Sequence, residues 1–212
     1  LISKKKAVLR MDPNSLDTLL HPTLDEKSSI NVIANGLPAS PGAASGRVVF
    51  TSQEAERLSG MMQDTILVRV ETSPEDIQGM HAAKGILTAR GGMTSHAAVV
   101  ARGMGRPCVS GSSEIDINYN NKSFKTSTLE IKEGEIITLD GSTGRIISGR
   151  VATIEPEISG DFSKLMSWSD HFRKLNIRAN SETPKDTKIA KDFGAEGIGL
   201  CRTEHMFFDE ER

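Results

Sequence analysis

The segment Arg90-Gly91-Gly92-Met93-Thr94-Ser95-His96, which we call the glycine-rich segment, contains the residue types that phosphate chemistry uses. Two glycines let backbone amides approach a ligand closely, and the first amides of a following helix point outward unpaired, which favours anion binding. The two hydroxyl side chains suit helix caps and donors to phosphoryl oxygens. We therefore predict phosphate binding by Gly91, Gly92, Thr94 and Ser95.

His96, the last residue of this segment, is the predicted catalytic residue. A cation is disfavoured beside a helix N-terminus, so we expect a neutral imidazole with one nitrogen free as a nucleophile. Attack on a phosphorus atom would leave an anionic product, which the same amides and hydroxyls would stabilise. A Gly-Gly turn followed by Thr-Ser is also an ordinary way to enter a helix, so the residues alone leave a purely structural interpretation open.

The other histidines and the cysteines show no spacing typical of a metal site. The histidines are scattered singly, at His21, His81, His171 and His205. Cys108 and Cys201 lie 93 positions apart, which argues against a disulfide framework or a zinc site and favours a reducing compartment. No metal ligand is predicted in this chain.

Alternating strand and helix signals surround the glycine-rich segment and must position it. Residues 85–89 are a predicted buried strand before it, and residues 95–104 are a predicted helix after it. Upstream, residues 53–58 are a predicted helix, and Ser73-Pro74-Glu75-Asp76 has the cap, proline and acids that start another. The fold class is therefore α/β.

A second α/β unit begins near the C-terminus. Apolar residues at helical spacing predict a helix over 161–175, after which 177–179 and 197–201 are predicted strands. Between these strands, Thr183-Pro184-Lys185-Asp186 has the form of a capping box. One βαβ unit cannot cover both faces of a parallel sheet, so we interpret this tail as the opening of a truncated domain.

The composition argues against two classes of partner. With 26 Lys+Arg against 28 Asp+Glu, the net charge of −2 gives no support to the cationic surface that nucleic-acid binding needs. No apolar run approaches the roughly 18 residues of a membrane-spanning helix. We predict no nucleic-acid or membrane partner and a cytoplasmic location.

Residues 91–111, GGMTSHAAVVARGMGRPCVSG, closely resemble the phosphohistidine segment of the pyruvate, phosphate dikinase family. Residues 37–43, 139–144 and 194–207 are similar to that family as well. The resemblance weakens between residues 112 and 133, where Asn118-Tyr119-Asn120-Asn121 is interpreted as a surface loop particular to this protein.

The resemblance implies a division of the chain. Residues 1–30 would be a helical linker from a missing nucleotide-binding domain, and 31–150 a swivelling β/β/α phosphohistidine domain. Residues 151–175 would be a linker helix, and 176–212 the start of a (β/α)8 barrel that binds phosphoenolpyruvate (PEP) or pyruvate. His96 would be the phosphoryl carrier, through its Nε2.

The reaction that the resemblance implies is ATP + phosphate + pyruvate giving AMP + pyrophosphate + PEP, reversibly. ATP, phosphate and pyruvate or PEP would bind to domains missing from this chain, and Mg²⁺ would be bound by those other parts of the full-length enzyme. The chain alone would then be inactive, and the full-length form is expected to be a homodimer.

Two further residues acquire roles from the resemblance. Arg202 matches an arginine that holds the phosphoryl group of PEP, and it follows a predicted barrel strand, where such sites are built. Thr94 matches a threonine that a regulatory protein phosphorylates in plant members. Neither Cys108 nor Cys201 matches the setting of the family's catalytic cysteine.

Two alternatives stay open. PEP synthase and the PEP-dependent sugar-transport phosphotransferase use a similar carrier histidine, although Met93 and residues 103–111 look more like the dikinase. The other alternative is a non-catalytic interaction module, in which the glycine-rich segment is only a helix entry and binds no phosphoryl group.

Overall fold

The computed structural model describes residues 2–12, 16, 20–25, 30–154 and 160–201. The chain divides into two compact units, which are Met11–Ile158 and the pair of segments Leu1–Arg10 and Ser159–Arg212. The division at residues 30, 150 and 175 expected from the sequence stays a prediction.

The helices and strands are numbered along the chain. The helices are α1 (Lys4–Val8), α2 (Ser52–Gly60), α3 (Ile77–Ala82), α4 (His96–Gly103), α5 (Gly160–Phe172) and α6 (Pro184–Asp192), and a 3-10 turn, Pro74–Asp76, precedes α3. The strands are β1 (Thr23–Leu24), β2 (Val32–Asn35), β3 (Leu37–Ser40), β4 (Ala43–Val49), β5 (Thr65–Arg69), β6 (Gly85–Thr88), β7 (Cys108–Ser110), β8 (Asp116–Asn118), β9 (Ser123–Lys125), β10 (Glu130–Lys132), β11 (Ile136–Asp140), β12 (Arg145–Ser148), β13 (Thr153–Ile154), β14 (Arg178–Ala179) and β15 (Gly197–Ile198).

The larger unit, Met11–Ile158, is built on an eight-stranded mixed sheet in the order β2-β12-β11-β4-β5-β6-β7-β3. Its four central strands, β4 to β7, run parallel, and the strands on either side pair antiparallel. The carboxyl ends of the four parallel strands therefore meet at one edge of the sheet. Separately, β1 and β13 form a short antiparallel pair.

Helices α2, α3 and α4 cover one face of this sheet. Alternate strand residues such as Leu67 and Ile86 point into this layer, since successive side chains of a strand face opposite ways. The sheet-facing surface of α4 consists of alanines, and Ala97, Ala98 and Ala101 are at most 2% exposed. Small side chains bring the helix that begins at His96 close to the sheet.

A second, three-stranded antiparallel sheet, in the order β10-β9-β8, covers the opposite face. Its core side chains, Phe124 and Ile131, pack with strand residues such as Ile66 and Val68. The larger unit thus has three layers, with helices, the mixed sheet and the small sheet stacked in that order. The α/β class predicted from the sequence is confirmed.

Local signals in the sequence are reproduced in this unit. The predicted helices over 53–58 and 95–104 are confirmed as α2 and α4, whose caps are Thr51 and Ser95. The start signal at residues 73–76 precedes α3, with a capping box between Ser73 and Asp76. The short strands β2, β3, β8 and β9 were not predicted, because three or four residues give little periodicity to detect.

The smaller unit contains the predicted βαβ arrangement. Strands β14 and β15 are parallel, and α6 connects them. Helix α6 begins with the predicted capping box, in which Thr183 Oγ1 accepts from the Asp186 amide at 3.1 Å. In this unit α1 also packs against α5, and Lys4 Nζ lies 5.5 Å from the centre of the Trp168 ring.

Across the described ranges, no helix combines the length and apolar character needed to cross a membrane.

Candidate functional site

The candidate site lies at the carboxyl edge of the parallel strands of the larger unit. Three loops meet there, at residues 70–73 after β5, 89–95 after β6 and 111–112 after β7. Loops at this edge of a parallel sheet are the usual place for ligand sites in α/β folds. The glycine-rich segment forms most of the second loop.

His96 is the first residue of α4 and is half-buried. Its Nδ1 lies 3.0 Å from Thr72 Oγ1, in the loop after β5. Within the described residues, Nε2 has no hydrogen-bond partner. The imidazole is therefore held from one side, and its second nitrogen is open to a reactant.

Unpaired backbone amides lie close to His96 along the chain. Among the described residues, the backbone N–H groups of Gly92, Met93, Thr94, His96 and Ala97 have no acceptor. They lie in the glycine-rich segment and the first turn of α4, where the helix dipole also favours an anion. This arrangement can bind a phosphoryl group through backbone donors.

Ser95 connects α4 to the strands below it. Its Oγ accepts from the Ala98 amide at 3.4 Å, which caps the helix, and lies 3.3 Å from Ser110 Oγ. Ser110 Oγ in turn lies 3.3 Å from Thr88 Oγ1, and both of these residues are fully buried. A line of buried hydroxyls therefore fixes the start of α4 to the ends of β6 and β7.

The loop that carries Thr72 is anchored by Asp76, which is 4% exposed. Its carboxylate accepts from the Ser73 amide at 3.0 Å and from Ser52 Oγ at 2.8 Å, and Arg69 Nε is 3.4 Å away. Burial acts to raise the pKa of the Asp76 carboxyl, but the hydrogen bonds from Ser73 and Ser52 and the charge of Arg69 outweigh it, so the pKa is lowered. The ionised carboxylate thus holds the residue that follows Thr72.

Arg102, near the end of α4, holds the glycine-rich segment from the other side. Its Nε and Nη2 donate to the Ala39 carbonyl at 3.2 and 2.8 Å. Nη2 also lies 3.3 Å from the Met93 carbonyl, to which it donates. The exposed Met93-Thr94 turn is thereby tied to β3.

Gly91 has a conformation that requires glycine. Its φ is +113°, and a Cβ there would lie 2.9 Å from Ser95 Cβ and 3.1 Å from Ser110 Oγ. Gly92 differs, because a Cβ at that position would meet no atom within 4 Å. Packing therefore requires glycine at position 91 but not at position 92.

We expect Gly91→Ala to destabilise the larger unit by about 1–3 kcal/mol, for two reasons. Alanine is strained at the positive φ of this position, and its Cβ would clash with Ser95, which caps α4. Native-state hydrogen exchange of the buried amides of β5 and β6 measures this change in the free energy of opening. Gly92→Ala is the matched control, with an expected change within about 0.5 kcal/mol. Equal destabilisation by the two variants would contradict this account of Gly91.

The structure brings five of the predicted site residues together, namely Gly91, Gly92, Thr94, Ser95 and His96. Arg202 lies outside the described residues. Reasoning from the sequence missed Thr72, Thr88 and Ser110. Thr72 follows β5, Thr88 ends β6 and Ser110 ends β7, so the available signal was a hydroxyl residue near the carboxyl end of a strand.

Cys108 is not a second nucleophile at this site. Burial raises the pKa of the Cys108 thiol to about 12, so it stays protonated and packs with the α4 alanines. Within the described ranges, no group of three or more His, Cys, Asp or Glu side chains could hold a metal ion.

Two family models match the chain. The mobile domain of PEP-utilising enzymes matches residues 61–144, which include Thr72, His96 and Ser110. The PEP-binding domain of PEP-utilising enzymes matches residues 156–212. Together they place the candidate site in the mobile-domain match and Arg202 in the PEP-binding match.

Relatives align over the whole chain. It is 57% identical over 212 residues to the pyruvate, phosphate dikinase of Rhizobium meliloti and 56% identical over 214 residues to that of Clostridium symbiosum. It is 53% identical over 214 residues to the chloroplastic pyruvate, phosphate dikinase 1 of Arabidopsis thaliana. The chain spans about a quarter of the length of these relatives, at 24%, 24% and 22%. The match of both domain models and the identity along the whole chain show that it belongs to the pyruvate, phosphate dikinase family of PEP-utilising enzymes.

Proposed function

We propose that His96 carries a phosphoryl group between two active sites of a pyruvate, phosphate dikinase. The observation that supports this most directly is the position of the imidazole, whose Nδ1 lies 3.0 Å from Thr72 Oγ1 at the start of a helix. Five backbone amides between Gly92 and Ala97 have no acceptor among the described residues. When Nδ1–H donates to Thr72, the proton resides on Nδ1 and Nε2 retains its lone pair. Nε2 is then the nucleophile.

The proposed reaction has two halves. In the first, ATP and phosphate are converted to AMP and pyrophosphate, and one phosphoryl group remains bonded to Nε2 of His96. In the second, the enolate oxygen of pyruvate takes that group to give PEP, and the Nε2–P bond breaks. Between the two halves the phosphoryl group holds negative charge beside the N-terminus of α4, where the amides of the glycine-rich segment and the Ser95 and Thr94 hydroxyls would stabilise it.

We propose further that residues 31–150 are the swivelling domain and that 176–212 open the PEP/pyruvate-binding barrel. Pairing of β14 with β15 supports the second assignment, because a parallel pair joined by a helix is the repeating unit of such a barrel. Arg202 lies two residues beyond Leu200, whose carbonyl accepts from the Ser181 amide at 3.1 Å. Arg202 would then follow the carboxyl end of a barrel strand, in position to bind the phosphoryl group of PEP.

The family resemblance is what supports our proposal that Mg²⁺, ATP, phosphate and pyruvate bind to other domains of the full-length enzyme. The larger unit supplies the carrier, and this chain alone would not complete the reaction.

Thr94 is the proposed regulatory phosphorylation site. It is exposed, two residues before His96, and its hydroxyl makes no hydrogen bond within the part of the chain that the structure describes. A phosphate on Thr94 would add about two negative charges where the phosphoryl group must bind, so it would oppose transfer by repulsion.

Incubation of the full-length enzyme with PEP and Mg²⁺ tests the carrier role. We expect an acid-labile, alkali-stable phosphate on His96, located by mass spectrometry, because a phosphoramidate bond hydrolyses when its nitrogen is protonated. A label on another histidine would contradict the proposal. A second assay, formation of pyrophosphate from ATP and phosphate, distinguishes the dikinase from PEP synthase and from the sugar-transport phosphotransferase. If the protein acquires no phosphate on any residue, the result favours an interaction module.

A further inference from the structure

The turn between β8 and β9 places Tyr119 against the loop that leads to Thr72. Its Oη accepts a hydrogen bond from the Val70 amide at 2.8 Å. Its ring lies edge-on to Phe50, with centroids 6.4 Å apart, and the Arg69 guanidinium is 5.5 Å from its centre. The turn lies at the surface, as the sequence predicted, and Tyr119 is 42% exposed, but its ring and hydroxyl also contact the larger unit beneath it.

Val70 lies where two loops of the candidate site are joined. Its amide donates to Tyr119, and its carbonyl accepts from the Arg90 amide at 2.9 Å. Val70 is two residues before Thr72, and Arg90 directly precedes Gly91. Tyr119 is thus hydrogen-bonded to the point that connects the Thr72 loop to the glycine-rich segment.

The segment 70–73 is neither helix nor strand, so contacts with residues outside it fix its conformation. Tyr119 holds its first amide, at Val70, and Asp76 holds its last amide, at Ser73. Thr72 lies between these two anchored amides. Its distance from His96 Nδ1 therefore depends on both anchors.

We propose that Tyr119 is a positioning residue for His96 and acts through Val70 and Thr72. The inference rests on the proposed carrier function of His96. Which imidazole nitrogen holds the proton is set by the hydrogen bond of the other nitrogen. By keeping Thr72 Oγ1 within reach of Nδ1–H, Tyr119 maintains the tautomer in which Nε2 is free to react.

Tyr119→Phe tests the hydroxyl alone, because phenylalanine keeps the ring contacts with Phe50 and Arg69. Using ¹⁵N-histidine-labelled chain at a pH where imidazole is neutral, we expect the His96 ¹⁵N shifts to move toward the tautomer with the proton on Nε2. Thr72→Val should shift them in the same direction. Asn121→Ala, whose exposed side chain in the same turn makes no hydrogen bond within the described ranges, should leave them unchanged.

The second measurement is the rate at which PEP phosphorylates His96 in the full-length enzyme. The Tyr119→Phe variant loses one neutral hydrogen bond, which water partly replaces. We therefore expect its rate of His96 phosphorylation to be about threefold to tenfold lower than that of Asn121→Ala. If the wild-type enzyme is phosphorylated on His96 but the His96 ¹⁵N shifts are unchanged in Tyr119→Phe, the proposed role of Tyr119 is overturned. Absence of phosphorylation in the wild type would overturn the proposed carrier function instead, whatever the tautomer.

Discussion

Replacing His96 with asparagine is expected to abolish both half-reactions of the full-length enzyme, with a loss of at least about a thousandfold in each. An amide nitrogen has no available lone pair, so it cannot form the bond to phosphorus that Nε2 forms in the proposed mechanism. Exchange of label between ATP and AMP measures one half, and exchange between PEP and pyruvate measures the other. Because His96 is half-buried at a helix start, the free energy of unfolding should change by less than about 1 kcal/mol.

His81→Asn is the matched control for this variant. His81 is exposed on α3, and its side chain makes no hydrogen bond among the described contacts, while its backbone carbonyl accepts from Arg106 Nη2 at 3.0 Å. Both half-reactions should proceed at wild-type rates in this control. A His96→Asn enzyme that still exchanges label in either half would show that another residue carries the phosphoryl group.

The second large effect is expected from Arg202→Lys, which should lower the rate of the pyruvate half-reaction but not that of the ATP half-reaction. A guanidinium binds phosphate oxygens with two parallel hydrogen bonds, and lysine keeps the charge but loses that geometry. Loss of a charge-assisted hydrogen bond costs about 1.5–3 kcal/mol, which is roughly tenfold to a hundredfold in rate. We expect this loss in transfer from phosphohistidine to pyruvate, with ATP-dependent labelling of His96 nearly intact.

Arg178→Lys in β14 is the control for Arg202. Arg178 Nη1 lies 3.3 Å from the Ile198 carbonyl, to which it donates, so it stabilises the same βαβ unit without a proposed role in binding phosphate. Both half-reactions should survive this change. If Arg202→Lys impaired both halves equally, Arg202 would be supporting the fold, and if it impaired neither it would be a solvated side chain.

The parts of the fold and site that could be predicted from the sequence depend on neighbours along the chain. Ser95 caps α4 through an amide three residues away, and Thr183 and Asp186 form their capping box over the same distance. Gly91 and Gly92 precede a helix, so phosphate chemistry could be inferred from the sequence. Such signals need no knowledge of how the strands are ordered.

The missed contacts join residues that are distant in sequence. Thr72 and His96 are 24 residues apart, and Tyr119 and Val70 are 49 apart. Only the order of β5, β6 and β7 in the sheet, and the small sheet on its other face, bring them together. Single-sequence periodicity predicts strands but not which strands are neighbours. The three-residue strands β8 and β9, which flank the turn that contains Tyr119, are too short to detect.

The alanine surface of α4 has a consequence for a carrier that must serve two sites. Ala97, Ala98 and Ala101 have no side-chain rotamers, so packing them costs no side-chain entropy and leaves no alternative rotameric states beneath His96. The distance between α4 and the sheet is then set by backbone and Cβ atoms, so side-chain rearrangement of α4 cannot change it. The imidazole should therefore present the same orientation at the site that loads it and at the site that unloads it, so that neither encounter requires the carrier to be remodelled.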